Sequence, residues 1–123
     1  MKRLIAPALL VLAYFLLRGI AQGESKPREG AVLVDVRSPA EYNDERAKGA
    51  LLLPHDQVRE RAAKVLPDKS AAIDLYCRSG RRSAMALDAL TALGYTNVRN
   101  LGSLDALKKG GVAVESGAAP TGK

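Results

Sequence analysis

One stretch of this 123-residue chain concentrates the groups that do chemistry: Leu75-Tyr76-Cys77-Arg78-Ser79-Gly80-Arg81-Arg82-Ser83. It holds the only cysteine, followed at once by Arg78, Gly80, Arg81 and Arg82. Ala72, Ile73, Leu75 and Tyr76 read as a short buried strand, interrupted by the charge of Asp74. From Ser83 onward Ala86, Leu87, Leu90 and Leu93 recur at helical spacing, and Gly94 suits the position just past a helix end. Cys77 therefore falls where a strand gives way to a tight loop and then to a helix N-terminus. The unpaired N–H groups of that terminus point at whatever anion lies in the loop. With Arg78, Arg81 and Arg82 they favour thiolate over thiol. A free cysteine inside a core is usually an inert small hydrophobe. One that follows a strand and precedes a run of arginines is a candidate nucleophile.

The elements that must position this loop are legible in the flanking sequence. Ala31 to Val36 is a continuous apolar run apart from Asp35, the pattern of a buried parallel strand. Asp35 and Arg37 lie at its C-terminal end, where α/β folds place their sites. Ser38 opens a capping box with Glu41, and Pro39 suits the first helical turn. Ala50 to Leu53 is a second strand ended by Pro54. Asp56 to Leu66 is an amphipathic helix with Val58, Ala62, Val65 and Leu66 as its stripe, stopped by Pro67. Beyond the loop and its helix, Asn97 to Leu101 is a fourth strand, Gly102-Ser103 a turn and Leu104 to Lys108 a short helix. Strands alternating with helices predict an α/β fold, a small parallel sheet with helices on both faces. Asp74, inside the third strand, needs a partner or an exposed edge. The sequence names neither.

Composition bounds the remainder. A chain of 123 residues that is 47% hydrophobic builds one modest domain, and 4% aromatic content leaves its core to Leu, Val, Ile and Ala. Residues 1–21 read as an export signal: Lys2 and Arg3 begin it, Leu4 to Leu17 is apolar except at Pro7, and Gly19-Ile20-Ala21 offers small residues for cleavage after Ala21. Cleavage after Gly23 is the alternative site. A spanning helix needs about 20 apolar residues, more than this run supplies before Arg18 closes it. A soluble periplasmic product is expected, with a form anchored by the uncleaved segment as the alternative. Residues 22–30 are a polar linker, 31–109 the folded domain, and 110–123, rich in Gly, Ala, Ser and Pro, a flexible tail. Setting aside Lys2, Arg3 and Arg18 lowers the formal charge from +6 to +3, and no basic stripe with aromatic platforms remains, so nucleic acid is not the expected partner. A single cysteine forms neither an internal disulfide nor a dithiol redox pair. One cysteine and one histidine, His55, are too few for a zinc site. No metal and no cofactor are expected, and the domain is expected to be a monomer. His55 opens a helix with nothing nearby in sequence to orient it, so it is read as structural rather than as a general base.

The cysteine stretch resembles the active-site loop of the rhodanese family, of the form Cys-Arg-x-Gly-x-Arg-Ser. The similarity runs from about Ala31 to Lys109. It takes in Asp35-Val36-Arg37, Ser38-Pro39-Ala40-Glu41-Tyr42, Gly49-Ala50-Leu51-Leu52-Leu53-Pro54 and Leu93-Gly94-Tyr95. Within that family the chain is most similar to the small, single-domain, exported phage-shock-type rhodaneses. The resemblance implies a rhodanese-like domain with Cys77 as catalytic nucleophile. It also implies a substrate-binding loop of Arg78, Ser79, Gly80, Arg81, Arg82 and Ser83, with Asp35 and Arg37 supporting that loop without reacting. Glu45-Arg46-Ala47 departs from the Gly-His-Ile common in the family, and Gly102-Ser103 stands where two glycines are frequent. Arg46 would add positive charge if it faced the pocket.

A thiolate ringed by N–H groups and guanidiniums suits an anionic substrate with an electrophilic sulfur, such as thiosulfate. Attack by Cys77 on the outer sulfur gives a persulfide and releases sulfite, with the loop stabilising the anion. A second nucleophile, cyanide or a thiol, then takes the sulfur and frees the thiolate. Two other readings fit the same loop type. One is a sulfur or oxyanion carrier without turnover. The other is a phosphatase or arsenate reductase, whose related loops place arginine six residues beyond the cysteine. That position is Ser83 here, which favours the smaller reacting centre. Of the arginines, Arg82 is expected to anchor the loop, with Arg78 and Arg81 nearer its mouth.

Overall fold

The computed structural model describes residues 26–118, and the expected signal segment, residues 1–21, lies outside them. Six strands and four α-helices follow one another in these residues. They are β1 (Val32–Asp35), α1 (Pro39–Asp44), β2 (Arg46–Ala47), β3 (Leu51–Leu52), α2 (Val58–Val65), β4 (Ile73–Cys77), α3 (Arg81–Ala92), β5 (Val98–Ser103), α4 (Leu104–Lys109) and β6 (Val114–Glu115). A short 3-10 turn, His55–Gln57, leads into α2.

Four parallel strands form the sheet in the order β3-β1-β4-β5. Because side chains alternate along a strand, β4 sends Ile73, Leu75 and Cys77 to one face and Asp74 and Tyr76 to the other. The first face packs Val34, Val36, Leu53, Val58, Ala62, Leu66, Ala86, Leu90 and Tyr95 into a core beneath α2 and α3. The second packs Leu33, Tyr42, Ala47, Ala50, Tyr76, Leu101, Leu104 and Leu107 with α1 and α4. The sheet is thus covered on both faces, which is the predicted fold class, and the C-terminal ends of its strands share one rim with Cys77. No helix among the described residues is long and apolar enough to cross a membrane.

Several boundaries differ from the sequence reading. Gly102-Ser103 is not a turn. The two residues continue β5 through a bulge in which Asn100 to Ser103 face Leu75 to Cys77, one extra residue on the β5 side. Gly102 takes the left-handed φ of +97° there, and Ser103 caps α4 by accepting from Ala106 N. Within the described residues, the segment read as a flexible tail from residue 110 carries a strand. Val114–Glu115 pairs antiparallel with Arg46–Ala47, and the buried Arg46 reaches Glu115 Oε2 at 3.1 Å and the Gly117 carbonyl at 2.7 Å. A buried guanidinium demands such acceptors, and the tail provides them.

The residues read as a polar linker also join the fold. Arg28 supplies the partner that Asp74 lacked. Its backbone N–H lies 2.6 Å from Asp74 Oδ2, and its guanidinium pairs with Oδ1 at 2.8 Å. Arg99 Nε, on β5, reaches the same Oδ1 at 3.2 Å. Burial alone would raise the Asp74 carboxyl, but hydrogen bonds from Arg99 and Arg28 bring it below its ordinary value.

Candidate active site

Cys77 is the last residue of β4 and is fully buried. The chain then turns through Arg78, Ser79 and Gly80 into α3, which starts at Arg81, two residues before the expected Ser83. Gly80 sits at φ +92°, a left-handed conformation that residues with a side chain rarely adopt. That conformation brings the Gly80 N–H to 2.9 Å from Cys77 Sγ. Ser83, one turn into α3 and also fully buried, places its hydroxyl 3.4 Å from the same sulfur.

The thiol titrates below its ordinary value, as expected, through the loop N–H groups that the sequence suggested and a hydroxyl that it did not. Burial is the largest single influence and acts to raise it. The hydroxyl of Ser83 and the backbone N–H groups of Ser83, Ser79 and Gly80 together outweigh burial. Hydrogen bonds to the sulfur, rather than the arginines, lead the lowering.

The three arginines have separate situations. Arg82, in the first turn of α3, is half-buried and gripped by Glu41, with Nη1 to Oε1 at 2.8 Å and Nη2 to Oε2 at 3.0 Å. Glu41 is the acidic member of the α1 capping box. Its backbone N–H donates to Ser38 Oγ, and its carboxylate accepts from Ser38 N at 3.1 Å. Arg78 has 78% of its side chain exposed and approaches Glu41 at 3.5 Å. Arg81 is exposed at the head of α3. The loop is therefore tied to α1 through Arg82, while Arg78 and Arg81 present their charge to solvent.

Asp35 and Arg37 form a buried pair at the end of β1, with Arg37 Nη2 to Asp35 Oδ2 at 2.7 Å. Asp35 Oδ2 also accepts from the Tyr76 hydroxyl at 2.6 Å, and that hydroxyl accepts from Ala47 N at 2.9 Å. Burial, then the bond to Asp35, pushes the Tyr76 phenol far above its ordinary value, so it stays a neutral donor. Arg37 Nη2 continues to the Glu41 and Glu45 carbonyls. Neither Asp35 nor Arg37 hydrogen-bonds Cys77; their partners are each other, Tyr76 and the Glu41 and Glu45 carbonyls. They brace the strand that delivers it and the helix that holds Arg82.

Several other residues fall outside this cluster. Arg46 stacks on Tyr42 at 4.3 Å and points to β6, so it adds no charge at the loop. His55 begins the 3-10 turn, its N–H bonded to the Val36 carbonyl at 2.9 Å, and it makes no hydrogen bond to a loop residue. A cleft of about 220 Å³ opens beside the loop, with Glu41, Arg78, Leu104 and Lys108 in its walls, but Cys77 does not line it. No cluster of His, Cys, Asp or Glu among the described residues has the makings of a metal site.

One contributor escaped the sequence reading. Asn100 on β5 donates Nδ2 to the Gly80 carbonyl at 3.0 Å and offers Oδ1 to the Ser83 hydroxyl at 2.7 Å. An asparagine inside an otherwise ordinary strand carries no local signal of such a contact. The contact emerges from the pairing of Asn100 with Leu75, which puts the asparagine on the same face of the sheet as Cys77.

The chain matches the family model described as the rhodanese-like domain over residues 18–109. It is 42% identical over 71 residues to the thiosulfate sulfurtransferase PspE of Escherichia coli (strain K12), spanning 58% of this chain and 68% of that protein. A sulfurtransferase of Allochromatium vinosum is 40% identical over 73 residues, spanning 59% of this chain and 66% of the relative. The chain thus covers about two thirds of the length of each. Among solved structures, a rhodanese with anions from E. coli aligns at TM-score 0.65 and 36% identity, covering 71% of this chain and 99% of that one. The Rhodanese_3 like domain of the Alr3790 protein from Anabaena sp aligns at TM-score 0.65 and 31% identity, covering 69% and 98%.

Proposed function

The chain belongs to the rhodanese-like domain family, and on that premise we propose that it is a sulfurtransferase that moves sulfane sulfur from thiosulfate through a Cys77 persulfide. One observation carries this reading: a thiol below its ordinary pKa, held by the Gly80 N–H at 2.9 Å, at the base of a loop that carries Arg78 and Arg81. The Cys77 thiolate attacks the outer sulfur of thiosulfate. The Sγ–S bond forms as the donor S–S bond breaks, and sulfite leaves with the electron pair. Cyanide or a thiol then attacks the outer sulfur of the persulfide and returns the thiolate to Sγ. The roles follow from placement. Cys77 is the nucleophile, the N–H groups of Ser79, Gly80 and Ser83 with the Ser83 hydroxyl support its charge, and Arg78 and Arg81 attract the dianion. Arg82, with Asp35 and Arg37 behind it, holds the loop in shape.

The test is an assay of thiosulfate with cyanide, run beside Cys77→Ser, with intact mass after thiosulfate alone. The native protein gains one sulfur atom and turns over, and the variant does neither. A native protein that takes up no sulfur would overturn the proposal in favour of another use of the loop. Export belongs to the same reading, since the basic start and short apolar run of residues 1–21 end in Gly19-Ile20-Ala21. The mass of the secreted protein reports it: loss of those residues supports export, and a full-length species confined to membranes would refute it.

A further inference from the structure

The cysteine loop holds one hydroxyl proton that has three claimants. The buried Ser83 Oγ lies 2.7 Å from Asn100 Oδ1, 3.1 Å from the Gly80 carbonyl oxygen and 3.4 Å from Cys77 Sγ. A serine hydroxyl donates one hydrogen bond. The amide and carbonyl oxygens only accept, whereas the sulfur is a weak donor as thiol and an acceptor as thiolate. Asn100 is fixed in place, because Gly102 N donates to its Oδ1 at 2.8 Å and its Nδ2 donates to Gly80 O at 3.0 Å. The shortest of the three contacts is the one to Asn100, and the longest is the one to sulfur.

We propose that Asn100 is a positioning residue for the Cys77 reaction, the alternate acceptor to which Ser83 gives its proton whenever Sγ carries no charge. The inference rests on Cys77 as the sulfur-accepting nucleophile. In the thiol state S–H donates toward Ser83 Oγ and Ser83 donates to Asn100. When the thiol proton leaves to solvent, the hydroxyl rotates onto Sγ, and Asn100 Oδ1 keeps the Gly102 N–H. Attack on thiosulfate forms the Sγ–S bond and expels sulfite with its electron pair, which leaves the charge on the outer sulfur. The Ser83 hydroxyl then returns to Asn100. Neither residue gains or loses a proton through the cycle. Asn100 competes with the thiolate for one hydrogen bond, and so tempers the acidity that the loop would otherwise set.

The charged and titratable groups near the thiol do not take part in this exchange. They are Arg78, Arg81 and Arg82, Glu41 on α1 paired with Arg78 and Arg82, and Asp35, Arg37 and Tyr76 at the strand ends. His55 lies in the 3-10 turn packed on α3, and Arg99, beside Asn100, is turned to Asp74. None hydrogen-bonds Ser83 or Asn100, so a change at Asn100 reaches the sulfur through Ser83.

The experiment is the midpoint of iodoacetamide alkylation against pH for the native chain, Asn100→Ala, Ser83→Ala and the double variant. Asn100→Ala should lower the midpoint by about half a unit, since a net hydrogen bond is worth about that much in pKa. Ser83→Ala should raise it, and adding Asn100→Ala to Ser83→Ala should change nothing further. Asn100→Asp guards against a loop loosened by alanine, because it keeps the shape and grips the hydroxyl harder. Its midpoint should rise, and rise less when Ser83 is absent. Equal shifts with and without Ser83, or no shift from either Asn100 variant, would overturn the proposal. Sulfur uptake from thiosulfate, read by mass on the same native sample, reports the sulfurtransferase reading separately. Uptake without Asn100–Ser83 coupling overturns the role of Asn100 alone.

Discussion

Glu41 joins two tasks, completing the capping box of α1 and gripping Arg82 at the head of α3. Glu41→Gln keeps an oxygen for Ser38 but removes the charge and one of the two acceptors that face Arg82. A charge-assisted hydrogen bond contributes about 1.5–3 kcal/mol when buried, and an exposed ion pair about 0–1 kcal/mol. Side-chain exposures of 21% for Glu41 and 28% for Arg82 put this pair between those cases. The variant should therefore lose about 1.5 kcal/mol at neutral pH. Acid identifies the cause. Hydrogen bonding from Arg82 is foremost in holding the Glu41 carboxyl well below the usual carboxylate range, against burial, which acts to raise it. A lowered folded-state pKa contributes stability that is complete above the unfolded value of about 4.3 and is lost as pH falls toward the folded value. The gap between native and variant, from urea midpoints, should hold steady from neutral pH to about pH 5 and narrow below about pH 4.3. A gap already absent at neutral pH, or one that acid leaves unchanged, would refute the ion pair as the tie between α1 and the loop.

Arg81→Ala should raise the Michaelis constant for thiosulfate by a few fold and weaken its dependence on salt, since an exposed attraction is removed. Arg82→Ala should instead lower turnover and melting temperature together. Steady-state kinetics at two salt concentrations with melting curves separates them, and unchanged thiosulfate kinetics in Arg81→Ala would end the capture role. Asp74→Asn strips charge from the carboxylate that Arg28 and Arg99 share. It should cost about 2 kcal/mol by urea unfolding, with the alkylation midpoint of Cys77 unmoved. A moved midpoint would mean that this clamp reaches the site. A chain ending at Gly111 removes Glu115 and Gly117 from the buried Arg46 guanidinium. It should lose about 1–3 kcal/mol, and equal stability of the two lengths would show that β6 contributes nothing.

What the sequence made legible was local. The Ser38–Glu41 capping box spans three residues, and the strand, cysteine, loop and helix follow one another without a gap. Both are written as adjacent residue types with a direct physical reading. Contacts that close over long separations were not legible. Arg28 to Asp74 spans 46 residues, Glu41 to Arg82 spans 41, and Arg46 to Glu115 spans 69. Nothing beside either end of such a pair names its partner, which is why residues near 28 looked like linker and residues beyond 110 like tail. Gly102-Ser103 misled for another reason. Glycine before serine is the chemistry of a turn, but the same left-handed φ also makes a bulge, and only the strand beside it decides between them.

The acidity of Cys77 divided differently, between causes that all lie within six residues of it. Of the two causes read from the sequence, the loop N–H groups lead with the hydroxyl of Ser83, ahead of the arginines. The arginines stand elsewhere along the path that charge takes in the proposed reaction. Negative charge begins on Sγ, deep in the loop, where Gly80 N and Ser83 Oγ meet it at 2.9 and 3.4 Å. As the outer sulfur is transferred, charge moves away from Sγ, outward to the departing sulfite and then to the terminal sulfur of the persulfide. Buried dipoles suit the start of that path, because they add no net charge beside a buried sulfur and are little screened by salt. Exposed guanidiniums suit its outer end, where a dianion must be drawn from water and sulfite must leave again, and where screening keeps the hold weak. Arg82, neutralised by Glu41, is fitted to neither end. Its carboxylate partner ties the head of α3 to α1.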